Sequence, residues 1–148
     1  MRDTRQLTML TDLAQERRDA AARKLGRSIA MLKESEQRLA LLAQYREDYR
    51  ARLADLGARG LCGDEWRNFR HFIARLDEAI GQQKGEVQAL TQGVSECRDH
   101  WLLERRKERS YDVLTERADL AEREREGRRL QKILDEFSGR MAQLRMAG

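Results

Sequence analysis

Residues 66–101 read WRNFRHFIARLDEAIGQQKGEVQALTQGVSECRDHW. Stepped by threes and fours, the run gives Trp66, Phe69, Ile73, Leu76, Ile80, Gln83, Val87, Leu90, Val94, Cys97 and Trp101, apolar at every step but Gln83. A 3-4 repeat sustained over this length marks an α-helix with one narrow apolar stripe, the seam of a coiled coil. A second stripe precedes it, through Ala21, Leu25, Ser28, Leu32, Ser35, Leu39, Leu42, Arg46, Tyr49, Leu53 and Leu56, and between the two lie Gly57, Gly60 and Gly63. Two stripes joined by a glycine-rich turn can bury their apolar faces only against each other. The pattern therefore predicts an all-α fold, two long helices forming an antiparallel coiled-coil hairpin: helix one over about residues 4–56, a turn over 57–63, and helix two over about 64–144. The chain, residues 1–148, is read as one such hairpin.

Composition supports this reading. The 148 residues include no proline, 38% are charged and 5% aromatic, so the commonest helix stop is missing and a globular core is not expected. Asp3 or Thr4 is placed to cap helix one, Gly57 to supply the left-handed residue at its end, and Asp64 to cap helix two, with Glu65 in its first turn. A fold-back centred near residue 60 sets Trp101 against Ala20, Ala21 and Ala22, a large ring facing small side chains. The segment after about Arg117 then has no partner in helix one. It still carries Leu130, Ile133, Leu134, Phe137, Met141 and Leu144 at helical spacing, a face that a lone overhanging helix cannot bury by itself, so the segment is either frayed or reserved for another protein, and the apolar face favours the partner because frayed tails are polar. Glycines 81, 85, 93 and 127 each weaken a helix, and they either soften it or admit a partner.

Several function classes are excluded. The 30 basic and 26 acidic residues are intermixed; even the richest basic stretch, residues 105–132, sets ten Lys or Arg against seven acids. No one-faced nucleic-acid footprint follows, and nucleic acid is not an expected partner. His71 and His100 lie too far apart on one helix to share a metal or a proton, and Cys97 with His100 falls short of a zinc set. With no phosphate-binding loop, activated nucleophile or cleft, no catalytic residue, metal or cofactor is expected, and the chain is read as not an enzyme. Cys62 in the turn and Cys97 on the seam cannot bridge, which suits a reducing cytoplasm. The first thirteen residues lack a signal-peptide core, and no apolar run is long enough to span a bilayer, so direct membrane insertion is not expected.

Five of the eight aromatics, Tyr45, Tyr49, Trp66, Phe69 and Phe72, gather near the turn. Tyr49, Trp66 and Phe69 are read as core. Tyr45 and Phe72 each precede a seam position by one residue, so they flank the core together on one side, bordered by Leu42, Tyr49, Leu76 and Ala79. An exposed aromatic pair of this kind is a protein-binding anchor.

These residues carry a family resemblance. The run Leu10-Thr11-Asp12-Leu13-Ala14 leading to Ala21-Ala22 and Gly26, the stretch from Leu41 to Arg50 (LLAQYREDYR), the glycine turn, and Trp66-Arg67-Asn68-Phe69-Arg70-His71-Phe72-Ile73 with Leu76 and Ile80 together resemble the flagellar export protein FliJ family. The resemblance implies a coiled-coil stalk of the flagellar type III export apparatus, serving flagellum biogenesis, motility and chemotaxis. Such a stalk sits in the hexameric export ATPase ring, promotes its assembly and activity, contacts the export gate membrane protein FlhA and escorts export chaperones. It implies a cytoplasmic protein held peripherally at the inner membrane, at the flagellar base. The family's gate-binding patch carries over to Leu42, Tyr45, Tyr49, Phe72, Leu76 and Ala79, with Arg38 and Gln83 as polar margins; Gln83 departs from a histidine common there. By analogy with rotary shafts, the open helix ends would meet the ATPase ring through Leu7, Leu10, Leu13, Ile133, Leu134, Phe137 and Met141. The equivalent stalk of a virulence-type secretion system and a coiled-coil holdase chaperone are the competing readings; stimulation of one ATPase favours a stalk, suppression of unrelated aggregation a holdase.

Overall fold

With no proline and a continuous seam on each side of the turn, nothing in either stretch stops a helix. In the computed structural model α1 runs Arg2–Ala58 and α2 runs Gly63–Ala147. The structure describes residues 2–60 and 62–147, and no strand occurs among them. Residues 1, 61 and 148 of the expected hairpin lie outside the described residues. The fold is all-α, an antiparallel hairpin of two long helices. Its residues form two compact units, Asp19–Leu102 and Met1–Arg18 with Leu103–Gly148.

In the first unit, Asp19–Leu102, the seam residues other than Trp66 sit half-buried or buried at the 3-4 positions of both helices. Cross-helix contacts establish the antiparallel sense: Tyr49 meets Phe69 and Phe72, Arg46 bonds Asp77, and Gln83 bonds Ser35. The alternation of burial sets Leu32 level with Leu90, Tyr49 with Ile73, and Ala21 with Trp101. Ala21 is 3% exposed, whereas Ala20 and Ala22 face solvent, so one small residue, not three, receives the half-buried Trp101 layer. Two helices cover only a thin core. Ala21, Leu76 and Val94 are its buried apolar residues, and most seam side chains are only half removed from water.

The turn departs from expectation in three places. Gly57 is helical; the left-handed residue is Gly60, with φ 86°, and the amides of Arg59 and Gly60 bond back to the carbonyls of Leu56 and Gly57. Placing the left-handed residue past the helix end lets α1 complete its last turn before the chain reverses. Asp64 lies inside the first turn of α2, not before it; the first helical bond runs from the Trp66 amide to the Cys62 carbonyl. Trp66 is 43% exposed, which corrects its reading as core. Its seam level is that of Leu56, two residues before α1 ends at Ala58, so the ring has neighbours on one side only.

The second unit pairs the start of α1 with α2 beyond Leu103. Thr11 and Thr115 share a hydroxyl hydrogen bond of 3.3 Å, and Arg18 donates to Glu108 at 2.5 Å. The 3-4 spacing thus continues past Trp101 through Glu104, Glu108, Tyr111, Thr115 and Ala118, and before Ala21 through Leu7, Thr11, Ala14 and Arg18. This seam is largely polar. Half-burial persists to Ala121, one turn beyond the expected limit near Arg117, and from Glu122 to Ala147 every residue is exposed. Since α1 begins at Arg2, Thr4 lies within the helix and does not cap it; the side chain of Asp3 lies outside the described residues.

Candidate functional site: two docking surfaces

Tyr45 and Phe72 occupy the positions just before Arg46 and Ile73 on their respective seams, so both project on the same flank of the first unit. They are 48% and 40% exposed. The stacking partner of Phe72 is Tyr49: the ring centroids are 4.3 Å apart at 40°, and Phe69 adds a third ring at 6.3 Å. Arg52 lies over Tyr49, its guanidinium carbon 5.7 Å from the centroid. An aromatic ladder therefore rises from the seam to the surface, ending in Phe72 and bordered by Tyr45. Such a ladder is a rigid, partly dry anchor of the kind that concentrates binding energy.

The other residues assigned to this patch divide by depth. Leu42, Tyr49 and Ala79 are half-buried, and Leu76 is buried in the seam, so Leu76 supports the patch from beneath. Arg38 is exposed at the margin and paired with Glu34 at 2.9 Å. Gln83, the other residue assigned to the margin, is half-buried on the seam, and its amide nitrogen is committed to Ser35. On the opposite flank, Arg46 reaches across to Asp77 and also approaches Glu47 at 3.5 Å. The hydrogen bond that Arg46 donates to Asp77, with the carboxylate's negative charge, holds the guanidinium above its already high ordinary value. Beside this pair, Ala40, Ala43 and Gly81 line a shallow groove, and no atom outside the local helix backbone lies within 4 Å of where a Gly81 Cβ would stand.

The second surface belongs to the other unit. Leu10 and Leu13 are exposed beside Glu104, Lys107 and Tyr111, and Leu7 is half-buried on the seam. Ile133, Leu134, Phe137 and Met141 are all exposed, Phe137 by 62%. The structure does not bring these two groups together: Phe137 lies 26 residues beyond Tyr111 on the same helix, roughly 40 Å at 1.5 Å per residue.

Sequence reasoning missed the acidic seam beside Leu10 and Leu13. Glu104 and Glu108 are buried, yet Arg18 is the one basic residue on the facing seam positions. One Glu104 oxygen lies 3.9 Å from the Lys107 ammonium and the other has no hydrogen-bond partner. The available signal was the unbroken 3-4 count from Trp101, hidden because these positions are charged. Among the described residues no three His, Cys, Asp or Glu side chains gather as metal ligands, both cysteines are free thiols, and no helix is long and apolar enough to cross a membrane.

Fold and surfaces together define a coiled-coil hairpin protein whose distinctive side chains are an aromatic flank near the turn and an overhanging apolar stripe. The family model described as flagellar FliJ protein matches residues 3–147. The flagellar FliJ protein of Escherichia coli (strain K12) is 32% identical over 136 residues, and that of Salmonella typhi 33% identical over 137, each match covering 92% of both chains. The chain belongs to the flagellar FliJ family, and with it to the components of flagellar protein export.

Proposed function

We propose that this protein is a non-enzymatic stalk of the export apparatus, linking the hexameric export ATPase to the gate protein FlhA and escorting empty export chaperones. The observation that carries this reading is the Tyr49–Phe72 stack with exposed Tyr45 on the same flank, a preformed anchor where the family resemblance assigns gate binding. Tyr45, Tyr49 and Phe72 make the contact, Leu42, Leu76 and Ala79 hold the rings in position, and Arg38 steers from the margin. The apolar side chains of the second unit, above all Ile133, Leu134, Phe137 and Met141, engage the ATPase ring. The protein works at the cytoplasmic face of the inner membrane through these partners, not by inserting in the bilayer.

Co-purification with the export ATPase and the FlhA cytoplasmic domain tests both contacts. The Tyr45→Ala plus Phe72→Ala variant is expected to lose FlhA while still stimulating the ATPase. Deleting the residues after Arg129 is expected to do the reverse. Retained FlhA binding by the double variant moves the gate site elsewhere; loss of gate binding alone on deletion exchanges the two ends.

A further inference from the structure

From Glu122 to Ala147 the helix has no covering partner, yet it keeps a coiled-coil repeat: Leu130, Leu134, Phe137, Met141 and Leu144 follow a 4-3-4-3 spacing, and Gly127 takes the preceding seam position. What could cover such a stripe is decided by the residues beside it. On the two edges of this seam they are Glu124 and Glu126 at one end, Gln131, Ile133 and Ser138 in the middle, and Arg140 and Arg145 at the other. The edges are acidic early and basic late. Glu126, Arg140 and Arg145 take part in no ion pair among the described residues, and Glu124 has only a local one with Arg128 at 3.8 Å.

We infer that the segment pairs with the same segment of a second copy of this chain, antiparallel. In the arrangement that sets Leu130 opposite Met141 and Leu134 opposite Phe137, Arg140 lies beside Glu126 of the second copy and Arg145 beside its Glu124. Two-fold symmetry repeats both pairs, giving four opposite-charge contacts and no like-charge contact on either edge. Leu144 meets Gly127, where room is greatest. The parallel in-register alternative sets Arg140 against Arg145 and Asp119 against Glu124, four like-charge contacts, and is disfavoured. With fewer than three heptads the association is weak and concentration-dependent. It covers Leu134, Phe137 and Met141, so the paired form cannot present them to another protein. That consequence rests on the reading proposed above; the pairing itself does not.

Sedimentation equilibrium on the full chain tests it, using Arg140→Glu plus Arg145→Glu, Glu124→Arg plus Glu126→Arg, and an equimolar mixture of these two variants. The wild type is expected to dimerise reversibly. Each variant alone, now facing like charges, is expected to associate about tenfold or more weakly, and the mixture to recover wild-type association or better. A wild type that stays monomeric to about 0.5 mM, variants that dimerise as the wild type does, or a mixture that fails to recover overturns the pairing. ATPase stimulation measured on dilute wild-type protein reports separately on the stalk reading.

Discussion

Gln83 reaches across the seam to Ser35, its Nε2 donating to the serine Oγ at 2.7 Å and to its backbone carbonyl at 3.0 Å. Ser35 is 2% exposed, so this is a satisfied polar layer within an otherwise apolar stripe. A buried pair of this kind favours the register in which the partners meet. Gln83→Ala removes the partner and leaves the hydroxyl to find another, and it is expected to cost about 1–2 kcal/mol. Adding Ser35→Ala and replacing Gln83 with Leu instead should recover most of that loss, because both polar groups are then gone. Urea unfolding of the two variants checks the difference; equal destabilisation argues against the pair.

Glu104 offers the opposite case. One of its oxygens is buried without a hydrogen-bond partner, while Arg18 is already held by Glu108. Glu104→Leu keeps that ion pair and fills the seam with an apolar group, so it is expected to raise stability by about 1–2 kcal/mol. Thermal unfolding followed by helical circular dichroism reads the shift. A lower melting temperature would mean that the carboxylate is compensated in solution.

The Trp101 layer tests packing. Ala21 is almost wholly covered at the level of that ring, so Ala21→Leu overfills it and is expected to destabilise by about 1–3 kcal/mol. Ala20→Leu, one residue away on the exposed face, should leave the midpoint within about 0.5 kcal/mol. Equal effects at the two positions argue against the register.

Two glycines should respond with opposite signs. Gly60→Ala forces a side chain onto a residue with φ 86° and is expected to cost about 1 kcal/mol. Gly81→Ala adds a methyl in open space within α2 and should gain about 0.5–1 kcal/mol of helix stability. If Gly81→Ala stabilises the isolated chain yet weakens a partner's binding, the groove it lines is a contact surface.

Tyr45 and Phe72 separate binding from folding. Phe72 stacks on Tyr49, so Phe72→Ala is expected to lower stability by about 1 kcal/mol along with any loss of FlhA. Tyr45 has no ring partner among the described residues, and Tyr45→Ala should leave the melting temperature unchanged while reducing FlhA binding. Denaturation curves beside a pull-down distinguish the two effects.

The helices, the turn between them and the flank bearing Tyr45 and Phe72 were all legible in the order of residues, because a 3-4 repeat is a local property that each helix displays whatever it meets. The fates of Trp66, Gly57 and Glu104 were not. Each depends on what the facing helix provides at that level: α1 stops too soon to cover Trp66, the reversal falls on Gly60, and the seam beyond Trp101 runs on through charged residues that the repeat carries inward with the apolar ones. The overhang that separates Leu10 and Leu13 from Phe137 did follow from a fold-back near residue 60; the tertiary pairing decided where it starts, one turn later at Glu122, because half-burial persists along a polar seam as far as Ala121.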